Sequence, residues 1–126
     1  MKKALLALGL LPILAACADT SQGKLRQAVY DVDSAYHVLA NPMPDVMAGK
    51  VPGVALTDTQ KTIAKAASQT VFNEIQSLET SIEGGDSITQ TAVNALQTDF
   101  ASFETCWAGL KTGTTPDACA ALGGSK

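Results

Sequence analysis

Residues 57–111 read TDTQKTIAKAASQTVFNEIQSLETSIEGGDSITQTAVNALQTDFASFETCWAGLK, and this stretch decides the fold. Apolar side chains recur along it at spacings of three and four, the period of an amphipathic helix, and nowhere in the alternation typical of a strand. Gly84-Gly85 interrupts the pattern once. The stretch therefore predicts two helices, about 57–83 and 87–111. They should form an antiparallel hairpin, because the connection between them is only about three residues long.

Capping residues mark the ends of both predicted helices. Thr57 and Gln60 fit a capping box, in which the threonine accepts from the third amide and the glutamine reaches back. Ser87 and Gln90 fit a second box, with Asp86 as an alternative cap. A glycine follows each helix, as is typical of a C terminus, because glycine readily adopts the left-handed conformation needed there.

The apolar stripes of the two helices predict most of the core. The first stripe consists of Ile63, Ala67, Val71, Ile75, Leu78 and Ile82, with Phe72 beside it. The second consists of Ile88, Ala92 or Val93, Leu96, Phe100, Phe103, Trp107 and Leu110. The three aromatic side chains of the second stripe could line a ligand groove. Because they continue the stripe, we expect them in the core.

An earlier stretch, about 24–40, carries the same helical pattern. Its stripe consists of Leu25, Val29, Val32, Tyr36 and Leu39. Asn41-Pro42 ends the helix, because the residue before a proline disfavours the helical conformation. Three helices with one stripe each can bury those stripes only against one another. The sequence therefore predicts an all-α protein built as a three-helix bundle.

Residues 41–56 join the first helix to the hairpin and are long for a helix connection. The segment contains three of the five prolines, yet it is too apolar to be a solvated linker. Methionines flanked by prolines can form an adaptable apolar contact surface. The candidate partner-binding residues are Met43, Val46, Met47, Val51 and Val54. The alternative is a lid that covers the end of the bundle, and the sequence does not decide between the two.

The N-terminal residues have the pattern of a targeting segment. Lys2 and Lys3 precede an apolar run over 4–14, which is too short for a permanent membrane span. The run ends in Leu14-Ala15-Ala16-Cys17, which resembles the lipobox of bacterial lipoproteins. The resemblance implies that Cys17 carries a diacylglycerol, that cleavage occurs just before it, and that its new amino group takes an acyl chain such as palmitate.

This resemblance also implies a domain organisation and a location. Residues 1–16 would be a signal peptide, 17–24 a lipidated tether, 25–122 the bundle domain and 123–126 a tail. The protein would be lipid-anchored in the cell envelope. In the lipoprotein family an aspartate directly after the lipidated cysteine favours retention in the inner membrane. Here Ala18 holds that position and Asp19 follows, so we expect the periplasmic face of the outer membrane.

The remaining cysteines, Cys106 and Cys119, are expected to form a disulfide, because an even pair in an exported domain is most simply structural. A reactive thiol pair is the alternative, but the spacing is far from C-x-x-C. Thr115-Pro116-Asp117 predicts one or two helical turns through residue 122. The bond would tie this C-terminal turn to the bundle and stabilise it by roughly 3 kcal/mol.

Charge excludes some partners and leaves others open. The formal net charge is −3, and loss of Lys2 and Lys3 with the signal peptide makes it about −5. Such a chain is a poor candidate for nucleic-acid binding, and its membrane affinity must come from the lipid. Residues 66–110 contain six acidic residues and no lysine or arginine. This surface is either merely solvated or a docking face for a basic partner.

No pattern typical of catalysis or of a cofactor site occurs. His37 is the sole histidine, so a metal site built on histidines is not expected. Glu79 and Glu83, one turn apart, could hold a cation weakly together with Asp86, but a solvated acidic face explains them as well. We therefore predict neither an enzyme nor a bound metal or cofactor.

Together these observations favour a non-enzymatic binding or structural module. Its partners would be the membrane, through the lipid, and an envelope protein. The oligomeric state is left open. The mature part also resembles small helical lipoproteins of bacterial and prophage genomes, without a motif that carries residues over. Two alternatives follow: a prophage-type lipoprotein for lysis or superinfection exclusion, and an inhibitor of a basic, lysozyme-like envelope enzyme.

Overall fold

The structure, a computed structural model, describes residues 2–122, with side chains from residue 21 onward. The signal-peptide prediction for 1–16, the lipidation of Cys17 and the tail 123–126 therefore fall outside the residues whose side chains are described. The same holds for residues 17–20 of the expected tether.

Five helices and no strand make up the described chain, as the all-α prediction requires. They are α1 (Lys2–Ala40), α2 (Met43–Met47), α3 (Asp58–Glu83), α4 (Gln90–Lys111) and α5 (Ala118–Ala121). The long helices α1, α3 and α4 pack against one another in all three pairs. The short helix α5 packs on α4 and α3, and α2 packs on α1. The predicted three-helix bundle is confirmed, and the segment 41–56 contributes an additional short helix.

The predicted stripes form the core. Val71, Ala67 and Phe103 are fully buried, and Trp107 is 1% exposed. Tyr36 joins the helices at the centre, with ring centroids 6.0 Å from Phe72 and 5.9 Å from Phe103. The residues of the three stripes that are only partly buried still pack against this core; they are Leu25, Leu39, Phe72, Leu78, Ile82 and Phe100.

The start of α3 confirms the capping box. The Thr57 Oγ1 accepts from the Gln60 amide at 3.1 Å, and the Gln60 Oε1 accepts from the Thr57 amide at 3.0 Å. At the other end, Gly84 is the C-cap and Gly85 has φ +80°, the left-handed conformation predicted from the glycine pair. Local sequence is therefore sufficient to define both ends of this helix.

The start of α4 differs from the prediction, since neither Asp86 nor Ser87 is the cap. The cap is Thr89, whose Oγ1 accepts from the Ala92 amide at 3.1 Å. The reason lies at Ile88, which is 4% exposed and enters the core ahead of the helix. Its backbone is held by the Gln22 side chain, which donates to the Ile88 carbonyl at 2.9 Å and accepts from the Ile88 amide at 3.1 Å.

Helix α1 begins earlier than predicted and includes residues 21–24, which the sequence analysis assigned to a tether. The two hydrogen bonds from Gln22 attach this turn to the start of α4. They offset the cost of about 1 kcal/mol that Gly23 imposes within a helix. Among the described residues, none of the helices combines the length and the apolar character needed to cross a bilayer.

Candidate functional site

The candidate binding segment, 41–56, folds back over one end of the bundle. Its first half forms α2, and Pro44 sits in the first turn, where the missing amide hydrogen costs nothing. Met43 and Val46 are 6% and 4% exposed. The other three candidates, Met47, Val51 and Val54, are partly buried against the core. All five side chains therefore pack against the core, as expected of a lid. Three of them are only partly buried and remain accessible to solvent.

An open groove of about 520 Å³ lies between the end of α1, α2 and α3. Its lining combines the two methionines of α2 with polar side chains of α3; the residues are Tyr36, Ala40, Met43, Pro44, Met47, Lys65, Ser68 and Gln69. We call it the methionine groove. It shares Tyr36, Ala40, Pro44 and Gln69 with a neighbouring hollow of about 370 Å³, which also includes His37, Asn41 and Phe72.

The floor of the methionine groove is already hydrogen-bonded. The hydroxyls of Tyr36 and Ser68 lie 2.8 Å apart and link α1 to α3. The hydrogen-bond partner of Ser68 is a phenol hydroxyl and not a general base. Ser68 is therefore not arranged as an activated nucleophile. Lys65 is exposed on the wall. The groove can therefore accept apolar side chains next to an acidic group, by packing and charge attraction.

His37 is exposed on the edge of the hollow. Its Nε2 lies 3.1 Å from the Asp33 Oδ1 one turn earlier, and its ring contacts Tyr36 edge-on at 5.5 Å. Within residues 21–122, no group of three or more histidine, cysteine, aspartate or glutamate side chains is placed to hold a metal ion. The position of His37 is thus explained by local contacts with Asp33 and Tyr36 of its own helix.

Two carboxyl pairs flank α3, and neither was predicted from the sequence. Burial, a hydrogen bond to Asp99 and the charge of Asp99 raise the pKa of Glu74 to about 8. On the other flank, burial and then the charge of Asp33 raise the pKa of Glu79. The Glu79 Oε1 is buried without a hydrogen-bond donor unless a proton lies between the two carboxyls. Both pairs join residues from different helices, which periodicity along one helix cannot reveal.

Near the C terminus, Cys106 and Cys119 form the predicted disulfide, with Cα atoms 4.9 Å apart and both side chains fully buried. The bond ties α5 to α4. Burial removes it from solvent, so a reactive thiol pair does not describe these cysteines. The Thr70 hydroxyl also bonds to the Leu122 carbonyl at 3.2 Å, which fastens the end of the turn to α3.

Comparison with known proteins adds no relative. A scan against protein-family models found no match, and searches of curated proteins and of solved structures found no significant similarity.

Proposed function

We propose that the chain is a lipid-anchored lipoprotein of the bacterial envelope and that its bundle is a non-enzymatic binding module. The lipobox-like residues 14–17 support the anchor. The methionine groove supports the binding role, as an open apolar surface with one cation on its wall and a hydrogen-bonded floor. The partner of this groove would be a protein segment with apolar side chains and a nearby acidic residue.

The observation that carries this proposal is the position of the groove relative to the N-terminal end of the bundle. Gln22 and Ile88 meet at one end, whereas Ala40 and α2 lie at the other. Residues 21–40 of α1 span about 30 Å between the two ends, at 1.5 Å per residue. A domain anchored through Cys17 would thus carry its groove on the end remote from the anchor, where a partner can reach it.

The anchor is tested by mass spectrometry of the protein purified from bacterial membranes. We expect an N-terminal peptide that begins at Cys17 and carries a diacylglycerol and an amide-linked acyl chain. A chain that retains residues 1–16, or one that begins at Cys17 without lipid, would refute the anchor.

The groove is tested separately by site-specific photo-crosslinking in the same membranes. A photo-reactive side chain at position 47 should yield a defined adduct with an envelope protein, and Lys65→Glu should abolish it. The matched control places the same group at Gln76, an exposed residue of α3 away from the groove. Equal adducts at both positions, or none at position 47, would count against the groove as the contact surface.

The inhibitor alternative depends on the negative charge of residues 66–110, and the carboxyl pairs weaken it. With a pKa of about 8, Glu74 is largely protonated at neutral pH. Burial and then the charge of Asp33 also raise the pKa of Glu79. The acidic face therefore presents less charge to a basic enzyme than the six carboxyl groups suggest, and the methionine groove is the better candidate contact.

A further inference from the structure

A second groove lies at the same end of the bundle, between α1 and α4, with a volume of about 580 Å³. One wall is apolar and the other is mixed; the lining residues are Ala35, Val38, Leu39, Pro42, Phe100, Glu104, Trp107 and Lys111. We call it the α1–α4 groove. Val38 is 75% exposed. Of the two large apolar side chains exposed on the described surface, it is the more exposed. An apolar wall of this kind gains by being covered.

The charges of the groove follow a pattern that is complementary to itself. Glu104 and Lys111 are seven residues apart on α4, which is two helical turns or about 10.5 Å. Trp107 lies between them, and the Lys111 Nζ is 5.6 Å from the centroid of its ring. Trp107 is 1% exposed, so the accessible charged groups are Glu104 and Lys111. If two such helices meet antiparallel about the point midway between these two residues, each Glu104 faces the Lys111 of the other helix.

We propose that the α1–α4 groove is the interface for a second copy of this chain, in a two-fold symmetric dimer with antiparallel α4 helices. Such an interface must be self-complementary, and the spacing of Glu104 and Lys111 on α4 meets that condition. Lys111 is also the only basic residue of α4. Lys111 is therefore the one side chain through which α4 can attract the acidic residues of a second copy. The inference concerns a different surface from the methionine groove and does not depend on the proposed function.

The symmetry has a consequence for the whole molecule. Residue 21 lies about 25 Å along α1 from Val38, at 1.5 Å per residue. Antiparallel pairing through the groove would place the two N-terminal ends at opposite ends of the dimer, about 50 Å apart. Two copies joined in this way would have their N-terminal segments pointing in opposite directions. Two copies anchored through Cys17 in the same membrane could therefore not pair in this way, and the dimer would join copies held by facing membranes or copies held in separate micelles.

Charge reversal tests the arrangement directly, by analytical ultracentrifugation of the full chain in detergent at an excess of micelles over protein. Glu104→Lys and Lys111→Glu should each weaken self-association about ten-fold or more, because both symmetric pairs become repulsive. An equimolar mixture of the two variants should restore the wild-type dissociation constant, since every opposed pair is then attractive. The double variant Glu104→Lys/Lys111→Glu should restore it as well.

Lys24→Glu, which reverses an exposed lysine of α1 outside both grooves, is the matched control and should leave self-association unchanged. Circular dichroism checks that each variant is folded. If Lys111→Glu fails to fold, Glu104→Lys and carbodiimide coupling of the wild-type chain complete the test. A wild-type chain that remains monomeric, or a mixture no tighter than its separate components, would overturn the proposal and leave the groove to a different partner.

Zero-length coupling provides a second readout without mutation. Carbodiimide joins a carboxylate to an amine only when the two are in contact. The covalent dimer should therefore contain an amide between Glu104 of one copy and Lys111 of the other, identified by mass spectrometry. A covalent dimer joined only at other residues would contradict the antiparallel arrangement.

Discussion

Gly109 lies directly against Pro116, so that a Cβ at position 109 would overlap the proline ring and crowd the Thr114 hydroxyl. This contact lets the chain after α4 turn back over the helix that it has just left. The Gly109 carbonyl also accepts from the amide of Thr114 at 2.9 Å and from its hydroxyl at 3.0 Å. The absence of a side chain at Gly109 therefore positions the C-terminal turn that contains Cys119.

Gly109→Ala should destabilise the protein despite the better helix propensity of alanine. Propensity favours alanine by about 1 kcal/mol, whereas overpacking against a rigid proline ring costs roughly 1–3 kcal/mol. We expect a net loss of about 1 kcal/mol in the free energy of unfolding, measured by urea denaturation. Gly23→Ala is the matched control, because a Cβ there meets nothing within 4 Å. It should stabilise by about 0.5–1 kcal/mol. A gain for Gly109→Ala would show that the turn can shift freely.

Loss of the disulfide should release the C-terminal turn before the bundle unfolds. Cys106→Ala combined with Cys119→Ala should lower the free energy of unfolding by roughly 3 kcal/mol. We expect amide exchange in α5 to rise more than in α3, because α5 packs mainly on α4 next to the bond. Hydrogen exchange with mass spectrometry would check this. An equal rise in both helices would instead indicate that the bond stabilises the whole bundle.

Glu74→Gln should stabilise the protein at high pH but not at low pH. The folded-state pKa of about 8 lies above the ordinary value of 4.5. Between these values the folded wild type binds a proton that the unfolded chain has lost. Wild-type stability from this group therefore falls as pH rises from about 4.5 to about 8. Glu74→Gln does not lose this stability as the pH rises. Its free energy of unfolding should therefore exceed that of the wild type by a margin that grows through this window to about 1 kcal/mol, after allowance for solvent screening.

The measurement for Glu74→Gln is urea denaturation at a series of pH values, read as the difference between variant and wild type. Gln76→Asn changes an exposed side chain of α3 without removing a titratable group and is the control. Its difference from wild type should remain flat over the same window. A flat difference for Glu74→Gln as well would mean that Asp99 and burial do not hold a proton on Glu74 in solution.

Gln22→Ala should loosen the N-terminal end of the bundle. The change removes both hydrogen bonds to Ile88 and leaves the backbone groups of a buried residue without those partners. We expect a loss of about 1–3 kcal/mol and faster exchange of the Ile88 amide, measured by NMR. Gln27→Ala, which removes an exposed glutamine of the same helix, should change neither quantity by much. Unchanged protection of Ile88 in Gln22→Ala would show that burial alone holds this residue.

Predictions from capping motifs and helical periodicity succeeded where neighbours in sequence are also neighbours in space. Thr57 and Gln60 are three residues apart, and their capping box forms as predicted. The stripe through Ile63, Val71 and Ile75 is buried, because helical periodicity places these side chains on one face. The disulfide was also predictable, since only one pair of cysteines was left after the lipobox-like Cys17.

These predictions failed where the structure or the pKa of one residue depends on another that is remote in sequence. Thr89 displaced Ser87 as the cap of α4 because Gln22, 66 residues away, holds the backbone of Ile88. Burial, and then Asp99 on a different helix, raise the pKa of Glu74, and a pattern within one helix contains neither cause.

The sequence by itself determined the three long helices, their buried faces and the covalent bond between Cys106 and Cys119. Each of these follows from backbone periodicity, local capping or the number of cysteines. Only the tertiary structure decided the inward packing of Met43 and Val46, the carboxyl pairs flanking α3 and the two grooves beside α1. These depend on the distances between helices, which are set by how side chains from separate parts of the chain pack together.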